Sequence, residues 1–202
     1  MITNDFRCDY PCTDINEDII FPRIKINPDI IRIVMISEAP PLNRSNYFYE
    51  KISRSFFQTT KMAFKDAGII INNYEDLTNM GFYLTTAIKC SKIGYLVSAK
   101  TIKECSLRFL QTELAQLPNI KIIMCMGDFA IKAVNYIYKE KYKKNPIKSG
   151  STYKIRNEEH VLNNIRFLPS YTQTGDSFNI EKSKRKMIAQ DIQKALSYLR
   201  GG

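Results

Sequence analysis

Residues 30–41 read IIRIVMISEAPP, and this stretch decides the fold. The first seven residues are apolar and rich in β-branched side chains, apart from Arg32, which is typical of a short strand buried in a sheet. The turn that follows, Ser37 to Pro41, contains two prolines, and proline cannot continue a strand in the middle of a sheet. We therefore predict a buried strand over 30–36 whose end exposes Glu38.

Three further stretches have the same apolar character, and segments with helical periodicity separate them. Strands are predicted at FYLTTAIK (82–89), IKIIMCM (120–126) and IRFL (165–168), and helices at 46–67, 101–117, 128–139 and 181–199. Strands that alternate with helices favour an α/β fold with a mainly parallel sheet covered on both faces. The lysine-rich stretch 141–164 is predicted to be a surface excursion. Since no linker interrupts the pattern, residues 1–202 are predicted to form a single domain.

In open parallel sheets, functional residues lie on the loops that leave the carboxyl ends of the strands. Three loops of this chain meet that description, at 37–41, 85–90 and 169–179. Because the carboxyl ends of parallel strands lie at one edge of the sheet, the sequence predicts that these loops meet and form a site.

The composition is basic, which bears on the choice of partner. The chain has 202 residues and a net charge of +10, which favours a polyanion such as single- or double-stranded DNA. A basic, soluble protein that binds no nucleic acid is an equal alternative on charge alone. No run of eighteen apolar residues is present, and the N-terminal sequence MITNDFRCDYPC lacks the order of a signal peptide. We therefore expect a monomeric protein of the cytoplasm that does not bind membranes.

The strand ends also carry a resemblance to a known family. IVMISEAPP (33–41), FYLTTAIKC (82–90) and FLPSYTQ (167–173) are similar, in order and spacing, to three motifs of the family 4 uracil-DNA glycosylases. The similarity spans roughly residues 8–175. It implies a three-layer α/β/α sandwich that flips a base out of DNA and hydrolyses its glycosidic bond. The chain departs from the family at Ser37 and Pro41, which replace glycines, at Thr86, which replaces asparagine, and at Leu168, which replaces histidine.

The chain contains five cysteines, and four of them form two distant pairs. Cys8 and Cys12 are separated by three residues, and Cys90 and Cys105 by fourteen, which leaves unrelated thiols, zinc and an iron-sulfur cluster all open. The resemblance implies that these four residues bind a 4Fe-4S cluster with a structural role, pinning the N-terminal segment to the Cys90 loop. The spacing of the first pair is one residue longer than is usual in the family. Cys125 lies inside a predicted strand and is expected to be a core residue.

Individual side chains have expected roles at the site, some implied by the resemblance and others by the polar loop 169–179 and the basic run at 182–186. By itself Glu38 is an ordinary loop glutamate, but the matching family acid activates water. Asp176 is a second candidate acid, to which the resemblance gives no role. Base-binding residues are expected at Ala39 and Thr86, with Phe48 or Tyr49 as the ring that stacks on the base; for both rings, packing in the core is an equal alternative. DNA-binding residues are expected at Ser170, Tyr171, Gln173, Lys184 and Arg185.

Together these observations predict a DNA glycosylase. Because Thr86 and Leu168 replace the base-reading asparagine and the loop histidine, we expect the substrate to be a modified pyrimidine in preference to uracil. The alternative is a catalytically degenerate iron-sulfur protein that recognises damaged or modified DNA. A redox or regulatory iron-sulfur protein is a third interpretation.

Overall fold

The structure is a computed structural model that describes residues 8–22, 24–50, 55–175 and 177–200. Its central sheet contains five strands, in the order β3 (Phe82–Thr86), β2 (Ile33–Ser37), β5 (Ile122–Met126), β7 (Ile165–Ser170) and β6 (Val161–Leu162). The first four of these strands pair in parallel, and β6 pairs antiparallel with β7. Strands β1 (Ile15–Ile19) and β4 (Cys90–Lys92) form a separate antiparallel pair.

Two groups of helices flank the sheet. Helix α1 (Phe56–Asp66) packs against α8 (Lys182–Arg200), and α3 (Ala99–Cys105) packs against α5 (Asp128–Tyr142). A π-helical turn at Ser106–Leu110 joins α3 to α4 (Gln111–Ala115), and the short helices are α2 (Tyr74–Asn79), α6 (Thr152–Ile155) and α7 (Ser177–Ile180). This architecture confirms the predicted α/β class and the three-layer sandwich. In the described ranges, no helix has the length and apolar character needed to span a membrane.

The buried strands form where the apolar runs predict them. All five residues of β2 are buried, because β3 and β5 lie on either side of this strand and helices lie above and below the sheet. Strand β7 continues two residues past its predicted end, so Pro169 and Ser170 belong to the strand and not to the following loop. Pro169 is accommodated in register beside Cys125 of β5.

The predicted helix over 46–67 is wrong at its start, residues 46–50. A short 3-10 turn at Arg44–Asn46 precedes Tyr47, Phe48 and Tyr49, and helix α1 begins only at Phe56. The three consecutive aromatic residues are all buried, whereas a helix on the surface of a sheet buries one face and exposes the other. Residues 51–54 of the predicted helix lie outside the described ranges.

A buried ion pair fixes the end of β3. Lys89 and Glu113 are both completely buried, and their Nζ and Oε2 atoms are 2.5 Å apart. The Lys89 ammonium also donates hydrogen bonds to the Thr85 hydroxyl (2.8 Å) and the Thr86 carbonyl (2.7 Å). The Glu113 carboxylate accepts further hydrogen bonds from the hydroxyls of Thr85 (2.8 Å) and Tyr83 (2.5 Å). Both buried charges are therefore paired and hydrogen-bonded, as burial requires.

Breaking this pair should destabilise the protein strongly. Glu113→Gln or Lys89→Met leaves one buried charge without its counterion, which costs about 3–5 kcal/mol. The double variant Lys89→Met/Glu113→Leu should lose less than the sum of the single variants, because neither charge remains. Urea denaturation measures the free energy of unfolding, and the exposed pair Arg166–Glu159 provides the control variant Glu159→Gln. Single variants as stable as this control would contradict the assignment.

Candidate active site

The three predicted loops meet at the carboxyl edge of the sheet. Backbone hydrogen bonds join the first two loops, from Ala87 N to Ser37 O (2.7 Å) and from Ile88 N to Glu38 O (3.1 Å). The third loop contacts the end of β5 through Gly127 N, which donates to Ser170 O (3.0 Å). The parallel register therefore brings together residues that are distant in sequence.

Glu38 lies in the cleft that this convergence forms, and Asp128 and Glu181 line the same cleft. The Glu38 side chain is 22% exposed, and its Oε2 lies 3.5 Å from the ammonium of Lys92. The opposite side of the carboxylate lies against Gly127: a Cβ atom at that position would come within 2.8 Å of Glu38 Oε1 and 2.5 Å of Thr172 Oγ1. Gly127 also has a φ of +106°, which side chains rarely adopt. Glycine is thus needed for Glu38 to approach the start of α5.

The cleft beside Glu38 has a volume of about 410 Å³ and opens to solvent. It collects four residues that the sequence predicted for the site, Glu38, Tyr171, Lys184 and Arg185. The loop after β7 and the start of α8 supply the last three. Asp176, the second candidate acid, lies outside the described residues.

The two basic residues of the cleft already have partners within the protein. The Arg185 guanidinium binds both carboxylate oxygens of Asp66 at 2.6–2.9 Å and lies over the ring of Phe178. Lys184 pairs with Glu181, and its ammonium lies 5.4 Å from the centre of the Tyr171 ring. Both side chains remain partly exposed, at 43% for Lys184 and 25% for Arg185. Contact with phosphate stays a prediction for both.

Beneath the cleft, polar side chains are buried at the strand ends. Ser37 and Thr86 are neighbours in the register of β2 and β3, and Gln173 accepts a hydrogen bond from the Ser37 hydroxyl at 3.1 Å. All three residues are fully buried. Gln173, which the sequence predicted beside the gap in the DNA, therefore lies in the interior next to the strand that carries Thr86.

Phe48 and Tyr49 are also core residues in this structure. Phe48 is fully buried, with its ring centre 5.1 Å from that of Tyr47 and 5.3 Å from that of Phe56. The Tyr49 hydroxyl bonds to the backbone of Leu84, accepting from its N–H (2.7 Å) and donating to its carbonyl (2.9 Å). Since β3 is an edge strand, Tyr49 satisfies backbone groups that lack a strand partner. Stacking of either ring on a base stays a prediction. Contact between the base and the buried Ala39 also stays a prediction.

Ser170 has an internal partner in place of the expected phosphate. Its hydroxyl donates to Asp191 Oδ2 at 2.6 Å, and Arg156 binds the other oxygen of this carboxylate at 2.7 Å. Burial raises the pKa of Asp191, whereas the hydrogen bonds from Ser170 and Arg156 act to lower it. The network joins β7 to α8, so Ser170 faces the interior, and its predicted phosphate contact would require this network to open.

The residue that replaces the family histidine lies in the core. Leu168 is 3% exposed and sits beside Met124 in the register of β5 and β7. The chain's one histidine, His160, is also buried, with its Nε2 atom 2.9 Å from the Ile155 carbonyl oxygen. Neither side chain lines the cleft.

Of the four paired cysteines, Cys90 in β4 and Cys105 at the end of α3 are buried, Cys12 is half-buried and Cys8 is exposed. Burial raises the pKa of the Cys90 thiol to about 12, and the neighbouring groups Cys105, Cys8 and Cys12 contribute to this rise. Burial likewise raises the pKa of Cys105 to about 11, with contributions from Cys8 and Cys12. All four cysteines are free thiols and form no disulfide.

The N-terminal segment is attached to both elements that carry the second pair of cysteines. Ile19 of β1 pairs with Cys90 of β4, and Asp14 accepts hydrogen bonds from Ser98 N (2.7 Å) and the Thr101 hydroxyl (2.7 Å) at the start of α3. Among the described residues, no three Cys, His, Asp or Glu side chains are grouped closely enough to hold a single metal ion. A 4Fe-4S cluster at these four cysteines stays a prediction.

A mainly parallel sheet between two groups of helices, with a cleft at its carboxyl edge, makes the protein an α/β protein of the three-layer class. The chain belongs to the uracil DNA glycosylase superfamily, whose family model matches residues 24–196. It is also 26% identical over 101 residues to a type-5 uracil-DNA glycosylase of Thermus thermophilus, a match that covers 50% of this chain and 46% of that protein. The chain thus spans about half the length of this curated relative in the match. The superfamily is confirmed, and the family 4 subgroup stays a prediction.

Sequence reasoning missed four residues that shape the site. Lys92, Gly127 and the pair Lys89–Glu113 each depend on contacts between segments far apart in the chain, which a single sequence does not reveal. One signal was available for Lys89: a lysine between a buried strand and Cys90 has to find a counterion.

Tyr49 offers a direct test of its position. Tyr49→Phe removes the hydroxyl that satisfies the Leu84 backbone and should destabilise the protein by about 1–3 kcal/mol, because a buried N–H and C=O lose their partner. Thermal or urea unfolding measures the change, with the exposed Tyr153→Phe as control. If Tyr49 instead stacks on a base, its ring persists in Tyr49→Phe and stability should equal that of the control.

Proposed function

We propose that this protein is a DNA glycosylase that flips a pyrimidine out of DNA and hydrolyses its N-glycosidic bond, releasing a free base and leaving an abasic site. The observation that carries the proposal is the position of Glu38, a carboxylate just after a buried strand in a cleft that Lys184 and Arg185 line together with Asp128 and Glu181. Membership of the uracil DNA glycosylase superfamily supports it, as does the type-5 relative.

In this proposal Glu38 orients water against the anomeric carbon as the base departs. A carboxylate can accept a hydrogen bond from water and take up its proton when the new bond to carbon forms. The Lys92 ammonium, 3.5 Å from Glu38, keeps the carboxylate in place, and Gly127 leaves room for it. Asp176 remains the second candidate for this role.

We infer that the preferred base is a modified pyrimidine rather than uracil. Leu168 cannot donate a hydrogen bond to the negative charge that develops on a departing base. A substituent that makes the base a better leaving group, or that adds contacts to the protein, lowers the barrier in place of that donor. Uracil should then be a poorer substrate than it is for relatives that carry the histidine.

The proposed partner is DNA, bound by a monomer. A net charge of +10 supports attraction to the phosphate backbone through release of counterions. Lys184 and Arg185 at the cleft are the proposed phosphate contacts, and each would exchange part of its internal ion pair for a phosphate.

We also propose that Cys8, Cys12, Cys90 and Cys105 bind a 4Fe-4S cluster. The attachment of the N-terminal segment, which carries Cys8 and Cys12, to β4 and the start of α3, the elements that carry Cys90 and Cys105, supports this assignment. The cluster would hold these segments together, and its iron would withdraw charge from thiolates that are costly to bury alone. The proposed hydrolysis needs no redox step.

Replacing the proposed water-activating acid tests the function. Glu38→Gln keeps the shape of the side chain but cannot accept a proton, so single-turnover excision should fall about 100-fold or more while DNA affinity stays nearly unchanged. Glu159→Gln, an exposed glutamate paired with Arg166, is the matched control and should keep full activity. If Glu38→Gln excises at the wild-type rate, Glu38 is not the base and Asp176 is the next residue to replace.

The cysteines allow a separate test of the cluster. Cys90→Ser or Cys105→Ser should remove the visible absorbance of the purified protein, because each loses a thiolate ligand. Cys125→Ser is the matched control: Cys125 is fully buried in β5, away from the other four, and the colour should persist. Protein purified without oxygen that contains neither iron nor sulfide would contradict the proposal.

A further inference from the structure

A second cavity lies at the amino edge of the sheet, at the end of the strands opposite to the candidate active site. The starts of β2, β5 and β7, the turn between β6 and β7 and the last turn of α8 surround it. Its volume is about 650 Å³, within the range of sites that hold one small ligand, roughly 300–1,000 Å³. We call this cavity the amino-edge pocket; the lining residues that matter here are Arg32, Lys121, Val161, Arg166, Tyr198 and Leu199.

The amino-edge pocket gathers three cationic side chains. Arg32, Lys121 and Arg166 line it, and in the described part of the chain no carboxylate does. Backbone hydrogen bonds hold the three residues side by side, from Lys121 N to Arg32 O and from Arg166 N to Lys121 O, both at 2.9 Å. Like charges held next to each other repel, so this arrangement favours a bound anion.

The internal contacts of these cations leave donors free for such an anion. Lys121 is exposed and makes no ion pair with another described residue. Arg32 donates to the backbone carbonyl of Asp29 at 2.5 Å, which carries no net charge. Arg166 pairs with Glu159, whose side chain is 70% exposed. Because a guanidinium has five N–H donors, both arginines keep donors for a ligand.

The cleft at the carboxyl edge has the opposite balance of charge. Its charged lining residues are three acids and two bases, Glu38, Asp128, Glu181, Lys184 and Arg185. The net charge of +10 therefore does not come from the candidate active site. The amino-edge pocket is one of the places where the surplus lies, which makes it a site for an anion in its own right.

Tyr198 gives the pocket a flat surface beside the cations. The Arg166 guanidinium lies over its ring, with the guanidinium carbon 4.0 Å from the ring centre. Val161 and Leu199 add apolar surface to the same lining. Nucleic-acid bases stack on aromatic rings and on the planes of arginine side chains. A ligand that matches the whole pocket therefore combines a negative group with a flat ring.

We propose that the amino-edge pocket is a second ligand site that binds a nucleotide, free or within a single strand, with its phosphate between Arg32 and Lys121 and its base against Arg166 and Tyr198. Inorganic phosphate would contact the cations alone, whereas a nucleotide also covers the ring and the apolar lining. The five residues of β5 span roughly 15 Å between the pocket and the cleft. One nucleotide thus cannot occupy both sites.

Binding of a single strand without pyrimidines tests the pocket apart from the proposed glycosylase. The probe is a fluorescein-labelled oligodeoxyadenylate with a length of about ten nucleotides, followed by anisotropy. Lys121→Glu should weaken its binding about 10-fold or more, because a carboxylate would face the phosphate. Lys103→Glu, at an exposed lysine of α3, makes the same change in net charge and should weaken binding by less than about 2-fold.

A second pair of variants tests the base. Tyr198→Leu keeps an apolar side chain but removes the ring, so binding should weaken about 5-fold or more through the loss of stacking. Tyr95→Leu, at a tyrosine that is 95% exposed and outside the pocket, is the matched control and should bind like the wild type. Circular dichroism checks that each variant is folded.

A wild-type protein that does not bind the strand, or a Lys121→Glu protein that binds it as tightly as Lys103→Glu does, would overturn the inference. If Lys121→Glu weakens binding and a folded Tyr198→Leu protein does not, the pocket binds phosphate alone and the assignment of a nucleotide is wrong.

Competition with deoxyadenosine monophosphate distinguishes the two sources of the nucleotide. If the monophosphate displaces the strand, the pocket accepts a free nucleotide; if the strand stays bound while binding still depends on Lys121 and Tyr198, the ligand is a strand. Both results support the site. Excision by Lys121→Glu should equal that of the wild type, because the pocket is remote from Glu38. A wild-type protein that binds the strand as expected but excises no base would overturn the proposed function alone.

Discussion

The parallel pairing of β2 with β3 and β5 is the constraint on which the rest of the molecule depends. This pairing sets Ser37 beside Thr86 and brings Gly127 against Glu38. Three loops that are separated by dozens of residues in the chain therefore end at one place. A shift of one residue in the register would turn each of these side chains to the other face of the sheet and disperse the site.

Two buried networks of ion pairs and hydrogen bonds stabilise this arrangement of the strand ends. The Lys89–Glu113 pair holds the end of β3 through Thr85 and Thr86, and the Ser170–Asp191–Arg156 network holds the end of β7 against α8. Both networks place charge in the interior, where it is tolerated only with complete pairing. The strand ends beside them are thereby fixed in the geometry that the site requires.

Much of the fold and part of the site follow from sequence patterns with a short range. The apolar runs locate all four parallel strands, and the proline turn after Ile36 locates Glu38. The false helix start at 46–49 shows the limit of periodicity, since Tyr47, Phe48 and Tyr49 are all buried by tertiary packing. The sequence also assigned Gln173 to the DNA surface. Its burial depends on Ser37, 136 residues away, and no local pattern contains that information.

The most direct measurement is product analysis with the wild-type protein and a set of oligonucleotides, each carrying one uracil or one substituted uracil. Mass spectrometry detects the released base, and alkaline cleavage detects the abasic site. If the protein hydrolyses the glycosidic bond, free base and abasic site should form in equal amounts. A substituted uracil should be released faster than uracil. Salt-dependent binding of every oligonucleotide with all bases left intact would contradict it, and would identify a protein that recognises DNA without cutting the glycosidic bond.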